Sequence, residues 1–94
     1  MRRASKVDAN QKAVVAALVK IGCTVQHLHA VGEGCPDILV GYKGRNFLIE
    51  IKDGAKPPSK RKLTPDQVEW HDKWQGQKAI AESEEAAILI VREL

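Results

Sequence analysis

Two carboxylates and one ammonium group sit in the most apolar part of this sequence. Asp37 precedes the run Ile38-Leu39-Val40, and Glu50 and Lys52 alternate with Ile49 and Ile51 after Phe47-Leu48. Charged side chains rarely enter buried strands unless they are paired or hold a metal. Both runs are rich in strand formers, and Lys43-Gly44-Arg45-Asn46 between them reads as a hairpin turn. A turn centred on Gly44-Arg45 sets Lys43 against Asn46, Leu39 against Glu50 and Asp37 against Lys52. Side chains alternate between faces along a strand, so Asp37, Glu50 and Lys52 share one face. In that register Asp37 and Glu50 are diagonal neighbours, with Cβ atoms roughly 7–8 Å apart or less. Two carboxylates at that spacing can close on one hard divalent cation. Mg2+ in particular takes one or two carboxylates and keeps waters for its substrate. The lysine beside such an ion can contact a phosphate or an attacking water. A one-residue change in turn length would break this arrangement. The plainer alternative is an Asp37–Lys52 ion pair on a half-exposed hairpin, with Glu50 in solvent.

The elements that must position these groups can be read outward from the hairpin. Residues 8–21 read as a helix, with Val14, Val15, Leu18, Val19 and Ile21 near helical spacing. Ser5 or Asp8 would cap it and Gly22 would end it. Residues 23–29 read as the first strand, with His27 and His29 on one side. Two histidines at that spacing can pair on a metal, but no third ligand follows at a zinc spacing. Residues 30–34 form a loop in which Gly32 and Gly34 allow close backbone approach; the GK[ST] ending of a phosphate-binding loop is missing.

After the hairpin, residues 53–63 read as a linker-like loop. Its segment Lys56-Pro57-Pro58-Ser59-Lys60-Arg61-Lys62 is basic, so phosphate contact competes with a simply solvated surface. Thr64-Pro65-Asp66-Gln67 then opens a helix: Thr as cap, Pro at the first position, Asp facing the dipole, and Gln completing a capping box. Gln67, His71 and Trp74 fall on one face of it. Trp70 and Trp74 read as core or dimer-interface residues in preference to base-stacking ones. Residues 78–81 are a short strand candidate. Ser83-Glu84-Glu85 starts a last helix with Ala86, Ala87, Leu89, Ile90 and Leu94 as its apolar surface; by periodicity alone, residues 86–91 also suit a buried strand.

The chain of 94 residues carries a net charge of +3. That length fits one domain, residues 1–94, which buries roughly 60% of its unfolded surface and would gain from a second copy. Residues 1–7 read as a flexible basic start. Acidic residues gather late, at Glu82, Glu84 and Glu85. Mild basicity is compatible with nucleic acid. Cys23 and Cys35 have no CxxC spacing and read as reduced and packed. No signal peptide and no membrane-length apolar run is visible, which predicts an intracellular protein.

Pro36-Asp37 followed by Glu50-Ile51-Lys52 matches the PD-(D/E)XK nuclease signature. The wider context GxPDILVGYKGRNFLIEIKD, then LTPDQ and His71, resembles the VRR-NUC branch of that superfamily, over nearly the whole chain. The resemblance implies an α/β protein with the restriction-endonuclease-like core: a mixed central sheet flanked by helices in the order α-β-β-β-α-β-α. It implies a metal-dependent, structure-specific DNA endonuclease of bacterial or phage type. Asp37, Glu50 and the backbone carbonyl of Ile51 would hold Mg2+ or Mn2+; Lys52 and Gln67 would complete the catalytic set. It further implies a homodimer with two sites, suited to Holliday junctions and other branched DNA. Lys56, Lys60, Arg61, Lys62 and His29 are candidates for DNA contact. The first helix of this superfamily often brings an acidic residue to the site; here Asp8 and Gln11 stand where a Glu is expected. A flap or nicking nuclease, or a binding module that does not cut, are the competing readings.

Overall fold

The structure is a computed structural model that describes residues 9–94. The capping roles expected of Ser5 and Asp8, the first-helix role of Asp8 and the basic start all lie outside the described residues. The element order is α1 (Gln11–Lys20), β1 (Thr24–His27), β2 (Ile38–Tyr42), β3 (Arg45–Ile51), a 3-10 turn (Pro58–Lys60), α2 (Pro65–Lys73), β4 (Lys78–Ala81) and α3 (Glu84–Glu93). One mixed sheet has the strand order β1-β2-β3-β4. The first two pairings are antiparallel, and β3 with β4 is parallel. This is the restriction-endonuclease-like α/β arrangement expected, and no described helix is long and apolar enough to cross a membrane.

The hairpin register differs from the sequence expectation. Tyr42 pairs with Arg45, Leu39 with Leu48 and Ile38 with Ile49. The turn is therefore two residues long, Lys43-Gly44, with φ of 49° and 79°. Two successive positive φ values make a turn whose twist matches that of its strands. The shift is two residues, so the faces are unchanged. Continued one step past Ile38 and Ile49, the register sets Asp37 opposite Glu50, where Lys52 was expected.

One face of the sheet carries Ile38, Val40, Phe47, Ile49 and Ile51, all with no exposed surface. Val14 and Leu18 from α1, and Ala87 and Val91 from α3, close over them. Fully burying each such side chain contributes roughly 1.5–3 kcal/mol. The last helix presents Val91 to the core, whereas Leu89 and Leu94 are half exposed. Arg45 donates to the carbonyls of Val91 and Leu94, closing the C-terminal end of α3 from the first residue of β3. The first strand stops at His27, so His29 sits in the turn that follows it. The tryptophans are not core: Trp70 is half buried, and Trp74 is 43% exposed and stacked on it.

Candidate active site

The opposite face of the sheet carries the polar row. Asp37, Glu50, Lys52 and Gln67 are all buried, Asp37 and Glu50 to 2% exposure. Asp37 enters from the segment before β2, whose carbonyl takes the Leu28 N–H of the preceding loop. Its Oδ2 accepts the backbone N–H of Ile51 at 2.7 Å. That bond clamps the carboxylate of one strand to the backbone of the next. The Ile51 side chain faces the core, so only its backbone can serve the site.

Gln67 ties the remaining two groups together. Its Oε1 accepts from Lys52 Nζ at 2.9 Å, and its Nε2 donates to Glu50 Oε2 at 3.1 Å. Lys52 Nζ stands 3.8 Å from the same Glu50 oxygen. Gln67 is fixed because it also closes the predicted capping box. The Thr64 N–H donates to Oε1 at 2.9 Å, and the Gln67 N–H donates to Thr64 Oγ1 at 3.3 Å. One side chain thus caps α2 and orients the lysine and the glutamate. The loop before Asp37 packs closely on this helix start: a Cβ at Gly34 would lie 2.3 Å from the Asp66 carbonyl oxygen. Any side chain there would push α2 off the site.

The donor set suits a hard cation. With both carboxylates ionised, Asp37, Glu50 and Lys52 sum to one negative charge, buried, on directly opposed positions whose Cβ atoms stand about 4.5–5.5 Å apart. Opposed like charges disfavour each other, and a divalent ion held between their oxygens removes that cost. Among the described residues, no group of three or more His, Cys, Asp or Glu converges on one point. The carboxylate pair, with backbone and water oxygens, is the hard-ligand set that Mg2+ accepts.

The surroundings are tuned by the same charges. Burial pushes the Cys35 thiol up, and Glu50 and Asp37 add to the shift. Burial pushes the His71 imidazole down, with the Lys78 and Lys52 ammonium groups adding to it against Asp72. Cys23 and Cys35 are free thiols.

The other sequence candidates lie farther out. Lys56, Lys60 and Lys62 are exposed. Arg61 is bonded to Glu82 at 3.1 Å and to the Lys56 carbonyl at 2.7 Å, so it braces the basic loop from within. His29 is half buried, its ring 6.1 Å from that of His27. Gln11 is buried and reaches His27 at 3.4 Å. The sequence reading missed Asn10. It occupies the N-cap of α1 but makes no capping bond; its amide donates to the Lys52 carbonyl at 2.9 Å. A partner 42 residues away leaves no local signal, and an Asn before a helix reads as an ordinary cap.

No family model matches the sequence, and no curated protein matches it. A solved structure described as a VRR_NUC domain is similar to it, over 88% of this chain and 90% of that one, with a TM-score of 0.65 and 22% identity. The chain thus has the fold of a VRR_NUC domain.

Proposed function

We propose that this chain is a VRR-NUC nuclease that hydrolyses phosphodiester bonds in branched DNA with Mg2+ or Mn2+, and that it does so as a homodimer. The observation that carries the reading is the buried Glu50–Gln67–Lys52 chain of hydrogen bonds on the same face as Asp37. A purely structural strand has no use for two opposed carboxylates.

Asp37, Glu50 and the Ile51 carbonyl are the groups that would hold the ion. Bound there, it would lower the pKa of a water and neutralise the scissile phosphate. Lys52, aimed by Gln67, presents a fixed positive charge to the phosphate as negative charge develops. Gln67 keeps the lysine from collapsing onto Glu50, since its Oε1 holds Nζ at the shorter distance, 2.9 Å against 3.8 Å. Lys56, Lys60 and Lys62 supply phosphate contacts outside the site. The exposed Val19, Leu89 and Leu94, on the mutually packed helices α1 and α3, give a second copy an apolar surface.

The test is cleavage of labelled four-way junction, flap and linear duplex with Mg2+, Mn2+ or EDTA, by the wild type and Asp37→Asn. Paired symmetric cuts in the junction, lost in EDTA and in the variant, are expected. Cleavage of the flap or of a nicked duplex alone keeps the nuclease and discards the junction. Binding without any metal-dependent cut leaves a binding module.

A further inference from the structure

The face that carries the carboxylates continues into an uncharged floor. Leu39 lies two residues from Asp37 on β2 and Leu48 two residues from Glu50 on β3, and the two leucines are direct partners. At about 3.3–3.4 Å per residue the leucine pair stands roughly 7 Å from the carboxylate pair. That is the axial rise of about two nucleotides in a stacked strand. A hollow of about 310 Å³ opens over this floor, walled by Trp74 and rimmed by Asn46, Gly76 and Gln77. Among the described residues, no charged side chain lines it.

Its walls are fixed and its far flank is cationic. Trp74 stacks on Trp70 with ring centroids 4.9 Å apart and planes 14° from parallel, yet keeps 43% of its surface exposed. Lys78, the parallel-strand partner of Leu48, stands at the far edge and donates to the His71 and Trp74 carbonyls. At the near edge stand Asp37 and Glu50, with Lys52 beyond them, four residues from Leu48. On the other side of the stacked tryptophans, the hollow beside Trp70 is lined by Glu33, Asp66, Glu69 and Lys73; Lys73 is paired with Glu69, and the net negative charge left by Glu33 and Asp66 repels phosphate. A strand with one phosphate at Asp37 and Glu50 that runs over the leucines brings its charge to Lys78 and its neutral base to indole, leucine and carboxamide.

We propose that this hollow takes one unpaired nucleobase of the substrate strand, within two nucleotides of the phosphate that is cut. The proposal rests on the nuclease reading above and adds to it a source of specificity. A base paired and stacked within a duplex cannot enter the hollow, whereas a base at a branch point, where stacking is interrupted, leaves its pair at lower cost and can. Stacking on an aromatic side chain is sequence-tolerant and strengthens binding by roughly tenfold.

The experiment places 2-aminopurine at the first and second nucleotides on either side of the branch in a junction oligonucleotide, and at the same positions in a fully paired duplex. Binding is followed in EDTA by anisotropy, and base stacking by 2-aminopurine fluorescence. The expected result is a fluorescence change at one junction position and at none in the duplex. Trp74→Ala should lose the change and bind the junction about tenfold more weakly, with Trp74→Phe keeping part of both. Binding without a fluorescence change at any position overturns the base site, as does a Trp74→Ala protein with wild-type affinity. A Trp74→Ala protein that turns monomeric in sedimentation while its fluorescence response is unchanged assigns the hollow to a second copy and overturns it too. Cleavage with Mn2+ separates the two readings. Cutting without a base signal leaves the nuclease and removes the base site; a base signal without cutting does the reverse.

Discussion

Strand β3 is buried on both faces, and the two faces are built on opposite terms. Phe47, Ile49 and Ile51 lose all exposure by meeting apolar side chains of α1 and α3. Leu48, Glu50 and Lys52 reach 9%, 2% and 8% exposure, and the two charged ones do so by meeting Gln67 at the start of α2. Burial alone does not distinguish a core from a site. What distinguishes them is whether the buried groups would be more stable replaced by hydrocarbon. For the first face the answer is no. For the second it is yes, since buried ion pairs commonly yield to apolar residues of similar volume with no loss of stability. Under the nuclease reading proposed above, the polar row contributes to chemistry what it does not contribute to stability.

The contrast predicts where a substitution is felt. Phe47→Ala should cost about 3–5 kcal/mol in urea unfolding followed by circular dichroism. Glu50→Gln keeps the shape of its side chain and removes one of two opposed charges. It should cost at most about 1–2 kcal/mol while lowering metal-dependent cleavage by a factor on the order of 100–1000. A Glu50→Gln protein that unfolds as readily as Phe47→Ala would erase the difference between the faces. Thr64→Ala tests the join between them. It removes the cap of α2, worth about 1 kcal/mol, and frees the backbone that holds Gln67. Cleavage should fall less than for Glu50→Gln and return in Thr64→Ser, which restores the oxygen. A cleavage rate untouched by Thr64→Ala would mean that Gln67 is held by Lys52 and Glu50 alone.

The two faces were legible because alternation is a local property. The apolar and charged residues between positions 37 and 52 interleave, and either of the two registers that differ by two residues puts Asp37, Glu50 and Lys52 on one face. The register was not legible to the same degree. Choosing between Lys43-Gly44 and Gly44-Arg45 as the turn depends on Lys43 adopting a positive φ, which its type does not announce. The error was an even number of residues, so it exchanged Asp37's partner and spared its face. Gln67 was legible because a capping box is a four-residue pattern. Asn10 was not, because its bond to the Lys52 carbonyl exists only once α1 has packed. The last helix was placed by its Ser83 cap, but its buried stripe was misjudged. Leu89 and Leu94 are exposed and Val91 is buried, because the direction of approach to β4 and α1 decides which stripe faces inward.

The smallest effect lies at the edge of the polar face, one turn along α2 from Gln67. His71 is half buried, and its imidazole is held below the usual value by burial first and then by Lys78 and Lys52, with Asp72 opposing. The unfolded chain protonates this residue near pH 6.5, while the folded protein protonates it only at lower pH. Between those two values the unfolded state binds more protons, so stability falls as pH drops through 6.5 and is complete above it. Lowering the pH from 7.5 to 5.5 should therefore depress the wild-type Tm more than that of His71→Gln, with the two proteins closest at pH 7.5. Parallel Tm curves would mean that His71 titrates in the fold as it does in the open chain. The influence of Lys78 and Lys52 would then stop within the first turn of α2, at Gln67.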